Sequence, residues 1–327
     1  MLIERQRLSH LDLTRVIALL FVLFIHSPIT SEQPVVRFIK NFIGCGAVPV
    51  FFMLSGYLGA RKMESPQSTL MVHVRDKART LLIPFLFWNL LLLTLVMGVK
   101  LIGLDSVLRG NGGYFDVHPN LKSIICALFG IGRFPVAYQF WFLRDLMVVN
   151  VIGFIIQRYS PAIPLLAWLF FLLPFPIGYS FAFFFMGNQL HAILPSSKVI
   201  SPISSGLYCF IWVILGIFHI QGKVAISSPI LELGSAAFLF LLSSSLIYFS
   251  IFQKLSLLAG GTFMIYALHE PSQTVISKVW LKSGLPGYGS VLCFLIIPLT
   301  VYPACWFVYY VVKRYFPKLL PYATGGR

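Results

Sequence analysis

The sequence predicts an all-α integral membrane protein, a single bundle of about ten transmembrane helices. Three observations predict it. Of 327 residues, 58% are hydrophobic and 11% charged, with a mean hydropathy of +0.85; a soluble domain carries about 25% charged residues. The apolar runs are long enough for helices and show no period-two alternation, which argues against a β-barrel. No hydrophilic block is large enough for a soluble domain, so residues 1–327 form one transmembrane domain that carries the function.

The first apolar run, residues 11–29, contains Asp12, Arg15 and His26. Arg5, Arg7 and His10 precede it in the manner of a signal peptide. Asp12 and Arg15 interrupt the run, however, and no small-residue cleavage site follows, so it is a retained span. The second span, 42–60, includes FFMLSGYL, where Ser55 and Gly56 permit a kink or close helix contact. A cationic loop follows, with Arg61, Lys62, Arg75, Lys77 and Arg79 against Glu64 and Asp76. By the positive-inside rule this loop and the N-terminus are cytoplasmic.

The third span covers 81–103, and 105–137 is an outer loop whose apolar patch, 124–131, suits the interface or a re-entrant turn. The fourth, 138–157, opens with QFWFLRDL. Trp141 fits an interfacial aromatic belt there, whereas Arg144 and Asp145 reach into the span. Further spans are expected at 162–173, 207–220, 231–252, 258–279 and 291–312. Arg158, Lys254 and the basic end at Lys313, Arg314 and Lys318 all favour the cytoplasm. That parity requires one more crossing between Arg158 and Lys254. The segment 175–194 supplies it and makes ten, with both termini cytoplasmic.

A net charge of +15 would suggest nucleic acid in a soluble protein. Here the cations flank apolar spans and fit topology signals and anionic lipid headgroups, so membrane lipids are the expected partners and nucleic acid is not. Some also suit a polyanionic cytosolic substrate. Cys45, Cys126, Cys209, Cys293 and Cys305 are scattered, with no CxxC and no metal-like cluster, and read as packing residues. No metal site is expected. No P-loop, Rossmann turn, GxSxG elbow or zincin motif is present.

Ionisable groups inside lipid-facing runs are costly and point to function. As a helix, Arg15 and His26 are eleven residues apart, which places them on one face about 16 Å apart along the axis. Asp12 and Arg15 also suit a simple i, i+3 ion pair, and His26 a hydrogen-bonded core residue. The shared face favours function: a neutral buried imidazole is a general base toward a hydroxyl. Arg75, Lys77 and Arg79 either set topology or clamp phosphates of a cytosolic donor. Trp141, Arg144 and Asp145 form a belt with an intrahelical ion contact, or a binding cluster. Tyr266 and His269 share a face, and Glu270 adds a third ionisable group to the same apolar run. Core packing explains Tyr266 alone; it explains His269 and Glu270 together poorly. His10, His73, His118, His191 and His219 lie in loops or at span ends and carry no assigned role.

These residues resemble a known family. LDLTRVIALLFVLFIH is similar to the first helix of the membrane-bound acyltransferase-3 family, whose signature is Arg or Lys, ten residues, then His; here these are Arg15 and His26. VPVFFMLSGYL, DKARTLLIPFLFW, FWFLRDL and GTFMIYALHEP agree in order, so the resemblance spans positions 12 to 270. It implies about ten transmembrane helices in the bacterial cytoplasmic (inner) membrane. It also implies transfer of an acyl group, usually acetyl from acetyl-CoA as co-substrate, with no bound cofactor. The acceptor would be a hydroxyl of an envelope glycan such as O-antigen lipopolysaccharide, exopolysaccharide or an undecaprenyl-linked sugar. On that reading His26 is general base or acyl relay, with Arg15 and Asp12 beside it. Arg15, Arg75, Lys77 and Arg79 meet the acyl-CoA phosphates, while Ser55, Trp141, Arg144, Tyr266, His269 and Glu270 shape the substrate site. Two departures accompany the resemblance: the chain has no fused esterase-like domain, and its seventh to eighth span region is compressed. The competing expectation is a transporter or flippase for a glycan or organic acid, because polar residues in helices also line permeation routes. A structural subunit of an envelope assembly complex is a third.

Overall fold

A computed structural model describes residues 9–27, 32–65, 67–104, 115–160, 162–172, 177–194, 200–284, 287 and 289–326. It is all-helical, with no strand among the described residues. Ten helical segments follow one another in the expected order. Seven are long and apolar enough to cross a membrane. The remaining three are shorter: α1 (Ser9–Ile25), a 3-10 run over Ile163–Leu172, and α8 (Ile177–Ile193).

The chain divides into two compact units. The first comprises Met1–Ser68 and Ile156–Tyr310. It contains α1, the short α2 (Pro34–Arg37), a π-helical stretch (Phe38–Ile43) and α3 (Ala47–Met63). It continues with α8, α9 (Pro202–Ile220), α10 (Ser228–Leu246), α11 (Ser250–Ser256), α12 (Thr262–Lys282) and most of α13 (Val291–Tyr315). α1 lies against α3, α10, α11 and α12. Phe24 also meets Phe294 of α13 at 5.3 Å between ring centroids.

The tightest packing is between α3 and α8. A methyl group at Gly56 would overlap the carbonyl of Phe184, and one at Gly187 the carbonyl of Met53. Small residues at both positions let the two backbones touch, which in lipid replaces the hydrophobic drive for helix association. α8 buries Phe181, Phe183, Phe184 and Phe185 on all sides. A helix apolar all round is a buried one, and α8 is the helix that occupies Ile177–Ile193 of the expected segment.

α9 and α10 are joined by polar contacts. Tyr208 donates to the Gly234 carbonyl at 3.0 Å, and the Trp212 indole donates to Ser235 Oγ at 3.3 Å. Ser235 in turn donates to the Phe42 carbonyl, and Phe42 stacks on Trp212. The expected span at 162–173 differs: it is a ten-residue 3-10 stretch broken at Leu166, not an α-helix. Pro164 is its second residue and Pro174 follows two residues after its end.

The second unit comprises Thr69–Ile155 and Val311–Arg327. It holds α4 (Leu70–Lys77), a π-helical stretch (Ala78–Leu82), α5 (Ile83–Leu101), α6 (Leu121–Phe129), most of α7 (Trp141–Tyr159) and α14 (Leu320–Thr324). The patch 124–131 belongs to α6, a nine-residue helix too short to span. Its Ala127 packs with Leu93, Val96, Val117 and Val136. Asn120 caps α6 by accepting from the Ser123 amide, and Gly130 ends it in the left-handed region at φ 70°. Asn89 ties α5 to the loop before α7, accepting from the Ala137 amide at 3.1 Å. Trp88 donates to the Ala323 carbonyl, which seats α14 on α5.

Candidate functional site

α1 ends earlier than its apolar run suggests. Its last helical residue is Ile25, and His26 is the first residue beyond it. Pro28 follows two residues later; a proline disfavours the α conformation in the residue before it, here Ser27. The Ser27 amide turns to the Phe24 carbonyl at 3.2 Å. His26 keeps the helical bond from its amide to the Val22 carbonyl at 3.1 Å, so it stays in register with Arg15.

The His26 ring meets His269 of α12, with centroids 5.3 Å apart and planes at 59°. His269 is fully buried. Its Nδ1 lies 2.7 Å from the Tyr266 carbonyl. A carbonyl oxygen only accepts, so Nδ1 carries the hydrogen and a neutral ring leaves its lone pair on Nε2. That nitrogen is buried and has no hydrogen-bond partner among the described residues. Tyr266 completes the cluster, its ring stacked 6.1 Å from that of His269. Two imidazoles on separate helices thus face each other inside the bundle, and one presents an uncommitted base.

Two residues missed in the sequence hold this end of α1 in place. Gln273, one turn beyond His269, donates from Nε2 to the Leu23 carbonyl at 2.8 Å. Lys40, in the π-helical stretch, donates to the Ser27 carbonyl at 3.1 Å. Carbonyls at a helix C-terminus lack intrahelical partners, and both contacts satisfy them. A spacing of four from His269 marks Gln273 in the sequence; Lys40 stands out as a cation in the apolar run FIKNFIG.

Asp12 and Arg15 form the i, i+3 pair at 2.8 Å. Arg15 lies about 16 Å from His26 along the α1 axis. Ser55 is half-buried on α3, beside the Gly56 crossing, and Glu270 is half-buried on α12. In the second unit, Arg75 and Lys77 close α4 and Arg79 sits in the following π-helical stretch; Arg75 and Arg79 are exposed. Trp141 opens α7 and is half-buried. Arg144 donates from Nε to Asp145 at 2.8 Å and from Nη1 to the Gly130 carbonyl at 2.7 Å. It therefore ties α7 to the turn after α6. Among the described residues no group of three His, Cys, Asp or Glu side chains is arranged to hold a metal ion.

A family model described as an acyltransferase domain matches residues 8–310. The chain belongs to the acyltransferase-3 family. The match takes in every candidate residue of both units, from Asp12 to Glu270. This acyltransferase-3 chain is also similar to a curated relative, the succinoglycan biosynthesis protein ExoH of Rhizobium meliloti (strain 1021). The two are 25% identical over 98% of this chain and 92% of the relative. No solved structure matches the chain.

Proposed function

We propose that the protein is an O-acyltransferase that moves an acyl group, acetyl in the first instance, from acyl-CoA to a hydroxyl of a cell-envelope polysaccharide or undecaprenyl-linked sugar. The observation that carries this reading is the His26–His269 pair with its uncommitted Nε2. His26 accepts the proton of the acceptor hydroxyl as that oxygen attacks the thioester carbonyl. A C–O bond forms, the C–S bond breaks, and the proton passes to the departing CoA thiolate. In the reacting complex His269 Nε2 accepts a hydrogen bond from the His26 ring and fixes its tautomer. Lys40, tethered to the Ser27 carbonyl next to His26, supplies a cation toward the oxyanion that develops on the thioester carbonyl.

Arg15, at the far end of α1, is a cation offered to a CoA phosphate; within the second unit, Arg75, Lys77 and Arg79 offer charge of the same kind. Their placement on the cytoplasmic side of the inner membrane rests on the positive-inside rule. The name of the Rhizobium relative supports an exopolysaccharide as the acceptor class.

The test is protein purified into lipid vesicles and given radiolabelled acetyl-CoA or succinyl-CoA with unacylated exopolysaccharide oligosaccharide. Label in the glycan, with one CoA thiol released per acyl group, is the expected result. Movement of the oligosaccharide across the vesicle with no thioester consumed contradicts the enzyme and supports the transporter.

A further inference from the structure

His269 heads a row of buried polar groups on α12, and the proposed chemistry uses none of the others. His269, Gln273, Ser277 and Trp280 are spaced by four, four and three residues. They fall within about 80° of one another on the helix and extend about 16 Å along it. The side chains of His269, Gln273 and Ser277 are 0%, 1% and 4% exposed. Each of the four residues has a buried polar atom without a hydrogen-bond partner among the described residues: His269 Nε2, Gln273 Oε1, Ser277 Oγ and Trp280 Nε1. The Gln273 assignment is forced, because its other end donates to the Leu23 carbonyl.

Elsewhere among the described residues such atoms are either satisfied locally or stand apart from one another, as at Ser68, His73, Asn188, His191 and Trp306, and form no row of four on one helix face. Ser243 and Ser244 of α10 turn their hydroxyls back to the carbonyls of Leu239 and Phe240. The indoles of Trp88 and Trp212 find the Ala323 carbonyl and Ser235. Ser277 and Trp280 do neither. Buried polar groups are ordinarily paired, so the run of three that continues the face of His269 marks a place where a ligand supplies the partners.

We infer that this face of α12 is the acceptor site, a track of donors and acceptors for the hydroxyls of a glycan whose reacting end meets His26. The chemistry selects the ligand class. Gln273 offers an acceptor, Trp280 a donor and Ser277 both, which matches groups that donate and accept at once. Sugar hydroxyls do so, and the indole adds an apolar face against which a sugar ring packs. No cation lies on the row; Lys278 and Lys282 are exposed on other faces of the helix. CoA phosphates are therefore not its ligand. The inference rests on the acyltransferase reading only for which end of the track reacts.

The experiment compares the wild-type protein in lipid nanodiscs with Ser277→Ala, Trp280→Phe and, as control, Val279→Ala, whose side chain is 62% exposed. Cellotetraose serves as an uncharged polyhydroxylated probe, read by saturation-transfer NMR on its ring protons. Only variants that keep the wild-type elution volume and melting temperature are scored, and either substitution alone suffices. Saturation transfer should fall at least fivefold in Ser277→Ala and in Trp280→Phe and stay unchanged in Val279→Ala. In the transfer assay the acceptor KM should rise about tenfold with kcat within twofold. Equal saturation transfer in wild type and both variants overturns the track, even if the wild type transfers acyl groups. Saturation transfer lost as expected, with no acyl transfer by the wild type, overturns the acyltransferase reading and leaves the track standing.

Discussion

His26→Ala is expected to lower acyl transfer to the glycan by about 10²- to 10⁴-fold, the usual contribution of a positioned general base. That corresponds to about 3–5 kcal/mol of transition-state stabilisation. The protein should still insert and elute normally, because α1 is held along the rest of its length. α1 is anchored by Leu11, Leu13, Leu19 and Leu23, all buried, and by the Gln273 contact to the Leu23 main chain. The amide of residue 26 keeps its bond to the Val22 carbonyl whatever the side chain. Initial rates of label transfer at saturating donor, normalised to folded protein, measure the effect. A variant with full rate removes His26 from the chemistry. The same assay separates base from relay: label that stays on the wild-type protein through denaturation, and is absent from His26→Ala, identifies an acyl-histidine.

The largest expected structural effect is at the α3–α8 crossing. Gly187→Val should abolish recovery of folded protein, because its Cβ would overlap the main-chain carbonyl of Met53. A backbone atom cannot rotate aside as a side-chain tip can, so the helices must separate. Overpacking typically costs about 1–3 kcal/mol where side chains can give way; here the cost includes lost contacts of Met53, Leu54 and Phe184, all buried. Gly59→Ala is the matched control. Its Cβ would meet only the tip of the Phe184 ring, at 3.7 Å, so wild-type stability is expected. Size-exclusion profiles and melting temperatures in detergent decide the matter. A Gly187→Val protein that melts with the wild type contradicts the close crossing.

The order of the helical segments was legible because lipid imposes long apolar runs, and charge asymmetry fixes their parity. α8 needed the parity argument, since a segment with Phe181, Phe183, Phe184 and Phe185 all buried has no polar face to announce it. The stretch at 163–172 misled because hydropathy does not distinguish a 3-10 run broken at Leu166 from an α-helix. His26 and His269 were legible one at a time, as ionisable groups in apolar segments. Their meeting was not, since it depends on how α1 and α12 pack across more than two hundred intervening residues. Gln273 and Lys40 were missed for a related reason: their roles are to main-chain carbonyls, which sequence does not display. For Arg144 the contact with neighbouring Asp145 was legible, whereas the one with the Gly130 carbonyl was not.

The most direct measurement is a double-mutant cycle on the histidine pair, with acyl-transfer rates for wild type, His26→Ala, His269→Gln and the double variant. Groups that act as one unit give strongly non-additive effects. The account predicts a double variant about as slow as His26→Ala alone, because His269 acts through the His26 ring. Losses that multiply, or a His269→Gln protein with full activity, would contradict it.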